Sequence, residues 1–335
     1  MKKVLLDGNK KFFKANMHCH STLSDGKLTV EELKEHYKKN GYSIIAFSDH
    51  EHLIDNSHLN DEDFLSITAC ELAIKEIAEL STLQKRDMKC CHFNLYAKEP
   101  GNIDTPCYSS IYDHFKKNID ESIIVHSCGE YERSYSTEGM NEIIRIAKEK
   151  GFLVSYNHPR WSLESPADYL RYKGLWAVEI YNTSVAMKGL SDNEVHVYEY
   201  FLKEGERMAC VMGDDNHGEA SMCGAWTMMN ADKLDYKSVI TAMEHHDLYA
   251  STGPEIKDLY IEDEKAYMTF AKGTHAIMVM NGRTAYKKMA ENPDGTNTVC
   301  FDIPMDGYTW FRFEVVDAAG EKANTCAYFY DEIFE

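Results

Sequence analysis

Over roughly the first 253 residues, short apolar or β-branched runs alternate with segments of helical period. Strands are expected at Phe13–His20, Ser43–His50, Phe64–Glu71, Lys89–Tyr96, Ser122–Cys128, Phe152–His158, Gly174–Tyr181 and Met208–Gly213, most of them bounded by turn residues. Several are apolar nearly throughout, the pattern of strands covered on both faces. Between them, Thr29-Val30-Glu31-Glu32 is a capping box, and its helix runs to Gly41 with Leu33 and Tyr37 on one side. Ser191-Asp192-Asn193-Glu194 is a second capping box. Glu138–Lys150, stopped by Gly151, and Tyr236–His246 read as further helices. Such alternation predicts a parallel sheet with right-handed crossovers, and seven or eight units predict a closed β/α barrel. Residues 98–137 do not repeat the pattern and read as an insertion over one face of it.

After Ser251-Thr252-Gly253-Pro254 the helical period stops. Leu259–Ile261, Ala266–Phe270, His275–Met280, Thr298–Ile303 and Trp310–Val316 read as short strands, and Asp317–Gly320 as a turn into Ala323–Tyr330. The expected organisation is therefore α/β: a barrel over residues 1–253 and a small antiparallel β domain, sandwich-like, over 254–335.

Composition narrows the function. The chain has 335 residues, 44% hydrophobic and 27% charged, ordinary for a soluble globular protein. A formal net charge of −19 opposes phosphate backbones and acidic lipid, so neither nucleic acid nor membrane is an expected partner. It leaves room for a small anionic substrate, because bound divalent ions reverse the local field. The apolar stretch near the N-terminus is only Val4–Leu6, and no run reaches the roughly 18–20 residues of a membrane span, which predicts a cytoplasmic protein. Ten cysteines without a C-x-x-C read as free, buried thiols. Strand alternation turns Cys19 away from the face that carries His18 and His20.

The candidate chemistry lies at strand ends. Six segments carry metal-ligand side chains: His18-Cys19-His20 with Asp25, Ser48-Asp49-His50, Cys70-Glu71, Cys91-His92, Asn157-His158-Pro159 and Asp215-Asn216-His217. The nine ligands so picked are His18, His20, Asp25, His50, Glu71, His92, His158, Asp215 and His217, too many for one ion and suited to two or three divalent ions of zinc, manganese or iron. His20, His50, Glu71, His158 and His217 sit at or just past the C-terminal ends of their strands, a face that all strands of a β/α barrel share. An H-x-H pair sets two imidazoles about 6.5–7 Å apart along the backbone, close enough to clasp one ion. A carboxylate between two ions can bridge them, and water shared by such ions becomes hydroxide near neutrality, the expected nucleophile.

Phosphate needs a grip, and the forked guanidinium of Arg160 or Arg133 matches its oxygens. Trp161 either stacks on substrate or fills space under a loop. A leaving group needs a proton, for which His217, His126 and Asp49 are the candidates, Asp49 also being placed to orient a ligand. His126 either packs in an apolar run or faces substrate.

This ordered set resembles the polymerase-and-histidinol-phosphatase (PHP) superfamily through His18-Cys19-His20-Ser21, Ser24-Asp25-Gly26, Ser48-Asp49-His50, Glu71, His92, Asn157-His158-Pro159 and Gly213-Asp214-Asp215-Asn216-His217. Within it the chain is similar to the CehA/McbA-type branch through His158-Pro159-Arg160-Trp161, Glu179-Ile180-Tyr181-Asn182 and Tyr249 with Ser251–Pro254. The resemblance implies a distorted seven-stranded barrel. It also implies one ion on His18, His20, Glu71 and Asp215, a second on Glu71, His92 and His158, and a third on Asp25, His50 and His217. The implied activity is a metal-dependent phosphoesterase acting on a small phosphorylated metabolite. A carboxylic ester, carbamate or amide hydrolase on the same ligands, and a non-catalytic metal-binding scaffold, are the alternatives.

Overall fold

A computed structural model describes residues 2–77, 87–190 and 194–334. Among these described residues, ten strands precede residue 254: β1 (Lys2–Leu6), β2 (Lys11–Cys19), β3 (Ile44–Phe47), β4 (Leu65–Lys75), β5 (Cys90–Ala97), β6 (Phe152–Tyr156), β7 (Ala177–Asn182), β8 (Ala209–Gly213), β9 (Trp226–Ala231) and β10 (Leu248–Ser251). Eight follow: β11 (Glu255–Glu262), β12 (Lys265–Ala271), β13 (His275–Met280), β14 (Ala285–Met289), β15 (Thr296–Asp302), β16 (Trp310–Val316), β17 (Lys322–Thr325) and β18 (Tyr328–Phe329).

One large sheet runs in the order β14-β13-β16-β17-β10-β9-β2-β3-β4-β5-β6-β7-β8, with β18 beside β16, and a second runs β1-β11-β12-β15. Strands β2, β3 and β4 are parallel, as are β6, β7 and β8. Strand β5 runs antiparallel to both its neighbours, β4 and β6. The sheet curls until the chain after β8 meets the end of β2. There the Asp215 N–H donates to the His18 carbonyl at 2.9 Å, and Cys19 and Asn216 form a lone parallel bridge. This is a mixed α/β sheet, curled and bridged at this point; the closed seven-stranded barrel expected is not established by its ladder.

Helix α1 (Val30–Lys39) forms as the capping box predicts: Glu32 N–H donates to Thr29 Oγ1 at 3.3 Å and Thr29 N–H to Glu32 Oε2 at 2.8 Å. Its buried Leu33 and Tyr37 pack on Cys19, so Cys19 does face away from the H-x-H pair. Helix α2 (Thr137–Glu149) covers the sheet through Met140, Ile143, Ile144 and Ala147. Of the expected capping box at 191–194, residues 191–193 lie outside the described residues; the helix at Val195–Lys203 begins after Glu194.

The expected strand Ser122–Cys128 does not form. Asp120 caps a single 3₁₀ turn at Glu121–Ile123, and only Val125 bridges, to Asp104. Ile123 and Val125 are 43% and 37% exposed, so the apolar run has no face to bury.

The C-terminal strands build an antiparallel module that also takes in earlier residues. Strand β1 pairs with β11, and Leu5, Leu6 and Tyr249 join its core with Phe270, Phe301 and Phe313. Strand β10 pairs with β9 on one side and β17 on the other, so the two modules share a sheet. Buried Arg312 adds ion pairs to Glu199 and Glu314. Among the described residues, no helix is long and apolar enough to cross a membrane.

Candidate metal centre

All nine expected ligands meet where β2, β3, β4, β5, β6 and β8 converge. Four overlapping groups have ligand atoms within 4.8 Å of one another: His20, Asp25, His50 and His217; His18, His158 and Asp215; His18, His20 and Glu71; Glu71, His92 and His158. Glu71 sits at the middle with its two oxygens divided. Oε1 lies 3.2, 3.1 and 3.1 Å from His18 Nε2, His92 Nδ1 and His158 Nε2, while Oε2 lies 3.4 and 3.3 Å from His20 Nε2 and His50 Nδ1. Asp215 Oδ1 is 3.1 Å from His20 Nε2, and Asp25 Oδ1 is 3.3 Å from His217 Nε2.

The reversal of β5 explains how His92 arrives. Being antiparallel, β5 brings its N-terminal end to the rim that its neighbours reach with their C-terminal ends, and His92 is its third residue. Two ligands hold left-handed backbone, Asp215 at φ 48° and His158 at φ 29°, the latter immediately before Pro159. Such conformations cost of order 1–3 kcal/mol and persist where the surroundings fix them. Here the Glu179 carboxylate accepts the His158 N–H at 2.9 Å, and the His18 carbonyl accepts that of Asp215.

The donor set fits divalent cations. His18 Nε2 and His20 Nε2 face each other at 3.2 Å. Two bonds of 2.0–2.1 Å meeting at a tetrahedral angle hold their nitrogens about 3.3–3.4 Å apart. His20 Nδ1, Asp25 Oδ1, His50 Nδ1 and His92 Nδ1 are buried without a hydrogen-bond partner. Buried polar atoms are normally satisfied, and cations bound among these groups would satisfy them. The charge balance agrees. Burial opposes ionisation of Glu71, yet surrounding His92 and His18 hold it well below the usual carboxylate range. Burial pulls His20 down, but Asp215 and Glu71 outweigh it and raise it to about 10. Burial and the neighbouring His20 push His50 down to about 3.

A supporting shell fixes the ligands. Glu179 Oε1 accepts from His18 Nδ1 at 3.1 Å, leaving Nε2 for the centre. Asn157 Nδ2 donates to Glu71 Oε1 at 2.9 Å, and Asn182 Nδ2 to Glu179 Oε2 and Asp215 Oδ2 at 3.0 and 3.2 Å. Asp214, the other carboxylate of its pair, is turned away and accepts from Tyr37, Thr183 and three backbone N–H groups.

The structure redistributes the remaining candidates. Asp49 accepts four hydrogen bonds from the backbone and hydroxyls of Ser21 and Ser24, so it shapes the loop that carries Asp25 instead of serving as an acid. His217 gives Nδ1–H to the Asp215 carbonyl at 3.0 Å and turns Nε2 toward Asp25 Oδ1, within the ligand cluster. His126 stacks on Tyr108 at 4.1 Å and belongs to none of the ligand groups. The side chain of Arg133 is 1% exposed and paired with Glu51, Cys107 and Ala73, so it grips the fold, not substrate. Arg160 is exposed at the turn after His158. Trp161 packs against His92 and His158, each ring 4.9 Å away, and forms a wall of the centre. Sequence reasoning missed Phe115, which stacks on His50 at 4.1 Å from within the insertion; its only signal was that it lies in residues 98–137. A cleft of about 500 Å³ lined by Lys27, Leu28, Glu219 and Ser221 opens at His217. A larger one, about 1100 Å³ along the helix Tyr236–His245, holds none of the nine ligands.

The chain matches no family profile and no curated protein. Among solved structures it is similar to a two-domain protein from Bacteroides vulgatus ATCC 8482 containing a predicted PHP-like metal-dependent phosphoesterase. That match has 14% identity, covers 97% of this chain and 96% of that one, and gives a TM-score of 0.43. An amidohydrolase from Chromobacterium violaceum matches at 12% identity over 61% of this chain and 87% of that one, with a TM-score of 0.39. PsfC from Pseudomonas syringae matches at 12% identity over 69% and 87%, with a TM-score of 0.41.

Proposed function

We propose that this protein is a metal-dependent hydrolase of PHP type, a phosphoesterase acting on a small anionic metabolite. The observation that carries the reading is the convergence of nine imidazole and carboxylate side chains, Glu71 at their middle, with facing ring nitrogens of His18 and His20 3.2 Å apart. Glu71, with one oxygen toward each half of the cluster, is the residue that would bridge two ions. His18, His20 and Asp215 would complete one site, His92 and His158 a second, and Asp25, His50 and His217 a third. Divalent ions held there would supply Lewis acidity toward phosphoryl oxygens and lower the pKa of water.

The chain's own residues prepare that chemistry. Glu179 fixes the tautomer of His18, Asn157 holds the Glu71 carboxylate in place, and Phe115 with Trp161 keeps bulk water from two sides of the imidazoles. Asp25 and His217, 32% and 37% exposed at their side chains, are the ligands nearest solvent and mark the side of approach.

The test is chelation followed by reloading with manganese, zinc or iron. Reloaded protein is expected to hydrolyse p-nitrophenyl phosphate, and His18→Ala to abolish this together with metal retention. Metal-replete protein that cleaves aryl carboxylic esters or carbamates while leaving every phosphate ester intact would falsify the phosphate assignment.

A further inference from the structure

Lys75 is the last residue of β4, and strand alternation puts its side chain on the same face as Glu71 and Ala73. The β4–β5 register sets Lys75 opposite Cys90, one same-face pair beyond Ala73–His92. Lys75 is 3% exposed, and its Nζ is buried with no hydrogen-bond partner among the described residues. The nitrogen lies 5.0 and 5.3 Å from the ring centres of Tyr112 and Phe115. Cys90 Sγ, the neighbour across the strands, touches His92 Nε2 at 3.2 Å. Glu51, the nearby carboxylate, is already held by Arg133 on both oxygens.

Lysine is almost never buried without a partner, because an ammonium stripped of water needs acceptors. Aromatic faces attract it but accept no hydrogen bond of ordinary strength. Burial accordingly pulls the Lys75 pKa below the usual lysine value, with Cys90 and Glu51 opposing only in part. Among the described residues no partner of opposite charge reaches this nitrogen, which stands beside Phe115, the ring that stacks on His50.

We propose that Lys75 is a phosphate-binding residue of the substrate site. Its ammonium takes a phosphate oxygen on the His92 side of the centre, with Phe115 and Trp161 flanking the organic part of the ligand. The assignment rests on the phosphoesterase reading above, and it gives the phosphate a cation where Arg133, held by Glu51, is not free. A flexible four-carbon stem lets the ammonium follow the phosphate, as a point charge and not a fork.

The experiment compares metal-loaded wild type, Lys75→Met and Lys75→Arg. Inorganic phosphate is titrated calorimetrically, and KM and kcat are measured with p-nitrophenyl phosphate. In Lys75→Met, phosphate binding is expected to weaken roughly ten- to hundredfold, the loss of one charge-assisted hydrogen bond, with KM rising far more than kcat falls. Metal content should stay equal and the melting temperature should not fall; Lys75→Arg should recover part of the affinity. Unchanged phosphate affinity in Lys75→Met, or loss of bound metal in it, overturns the assignment. Wild type that binds phosphate but cleaves no phosphate ester overturns the functional reading alone, since the binding ratio between wild type and variant still decides on Lys75.

Discussion

Arg133→Met should be among the most damaging single substitutions outside the ligand set. The guanidinium donates from Nε to the Cys107 carbonyl at 2.8 Å, from Nη1 to Glu51 Oε1 and the Ala73 carbonyl at 3.0 and 2.8 Å, and from Nη2 to Glu51 Oε2 at 2.6 Å. It thereby pins the insertion, through Cys107, to β4 two residues from Glu71. With it gone, Glu51 stays buried at 0% exposure with the Ala73 N–H as its remaining donor. Breaking a buried pair from one side costs about 3–5 kcal/mol, most of it the stranded charge. Glu51→Gln should cost a similar amount by stranding the guanidinium. The double variant strands neither and loses mainly two hydrogen bonds to carbonyls, about 1 kcal/mol each. The singles should therefore sum to about 6–10 kcal/mol against about 2–3 for the double, a coupling of at least ~3 kcal/mol. Urea unfolding of all four metal-free proteins, followed by tryptophan fluorescence, measures this. If the singles add to the double within about 0.5 kcal/mol, Arg133 is not the strut described here.

Three further outcomes are expected. Gly213→Ala places a methyl 2.7 Å from His18 Cβ and 3.1 Å from Glu179 Oε1; relief by shifting His18 should cost about 1–3 kcal/mol and weaken metal binding, and a variant with full metal affinity would refute the contact. Glu179→Leu should lower metal affinity roughly ten- to hundredfold by removing the acceptor that fixes His18, read by competition with a chromogenic chelator; unchanged affinity would show that the acceptor is dispensable. Since Asp215 and Glu71 overcome burial to raise His20 to about 10, its ring is protonated in metal-free protein at neutral pH. Metal loading must then expel that proton, so affinity should rise with pH until the ring titrates. Calorimetry in buffers of different ionisation enthalpy should register proton release, and its absence would count against His20 as a ligand.

The clustered side chains were legible because most sit beside a strand end, where a short apolar run stops at a polar side chain; Glu71 instead lies within β4, which runs on to Lys75, and Asp25 in the loop after β2. His18 and His20 needed only alternation, and α1 only its capping box. The direction of β5 was hidden, since Cys90–Ala97 is buried on both faces and carries no mark of polarity along its length. Ser122–Cys128 misled because its apolar, β-branched residues suit a strand, but the segment meets a partner only where Val125 bridges Asp104, and Asp120 turns it instead. The supporting contacts were not legible at all. That Arg133 seeks Glu51, or that Phe115 lies over His50, depends on where the insertion folds back, and residue spacing does not encode it.

The closing bridge between the ends of β2 and β8 also sets a timetable for biosynthesis. His18 and His20 leave the ribosome roughly 200 residues before Asp215 and His217, a gap on the order of 10–40 s at ordinary elongation rates. During that interval the nascent chain has imidazoles but not the carboxylate that completes their cage. β2 also waits for β9, and β1 for β11, both made later still. The groups that need Asp215 or His217 are thus completed only late in synthesis, and a message cut short before residue 215 yields a product that keeps Glu71, His92 and His158 but lacks the last members of the others.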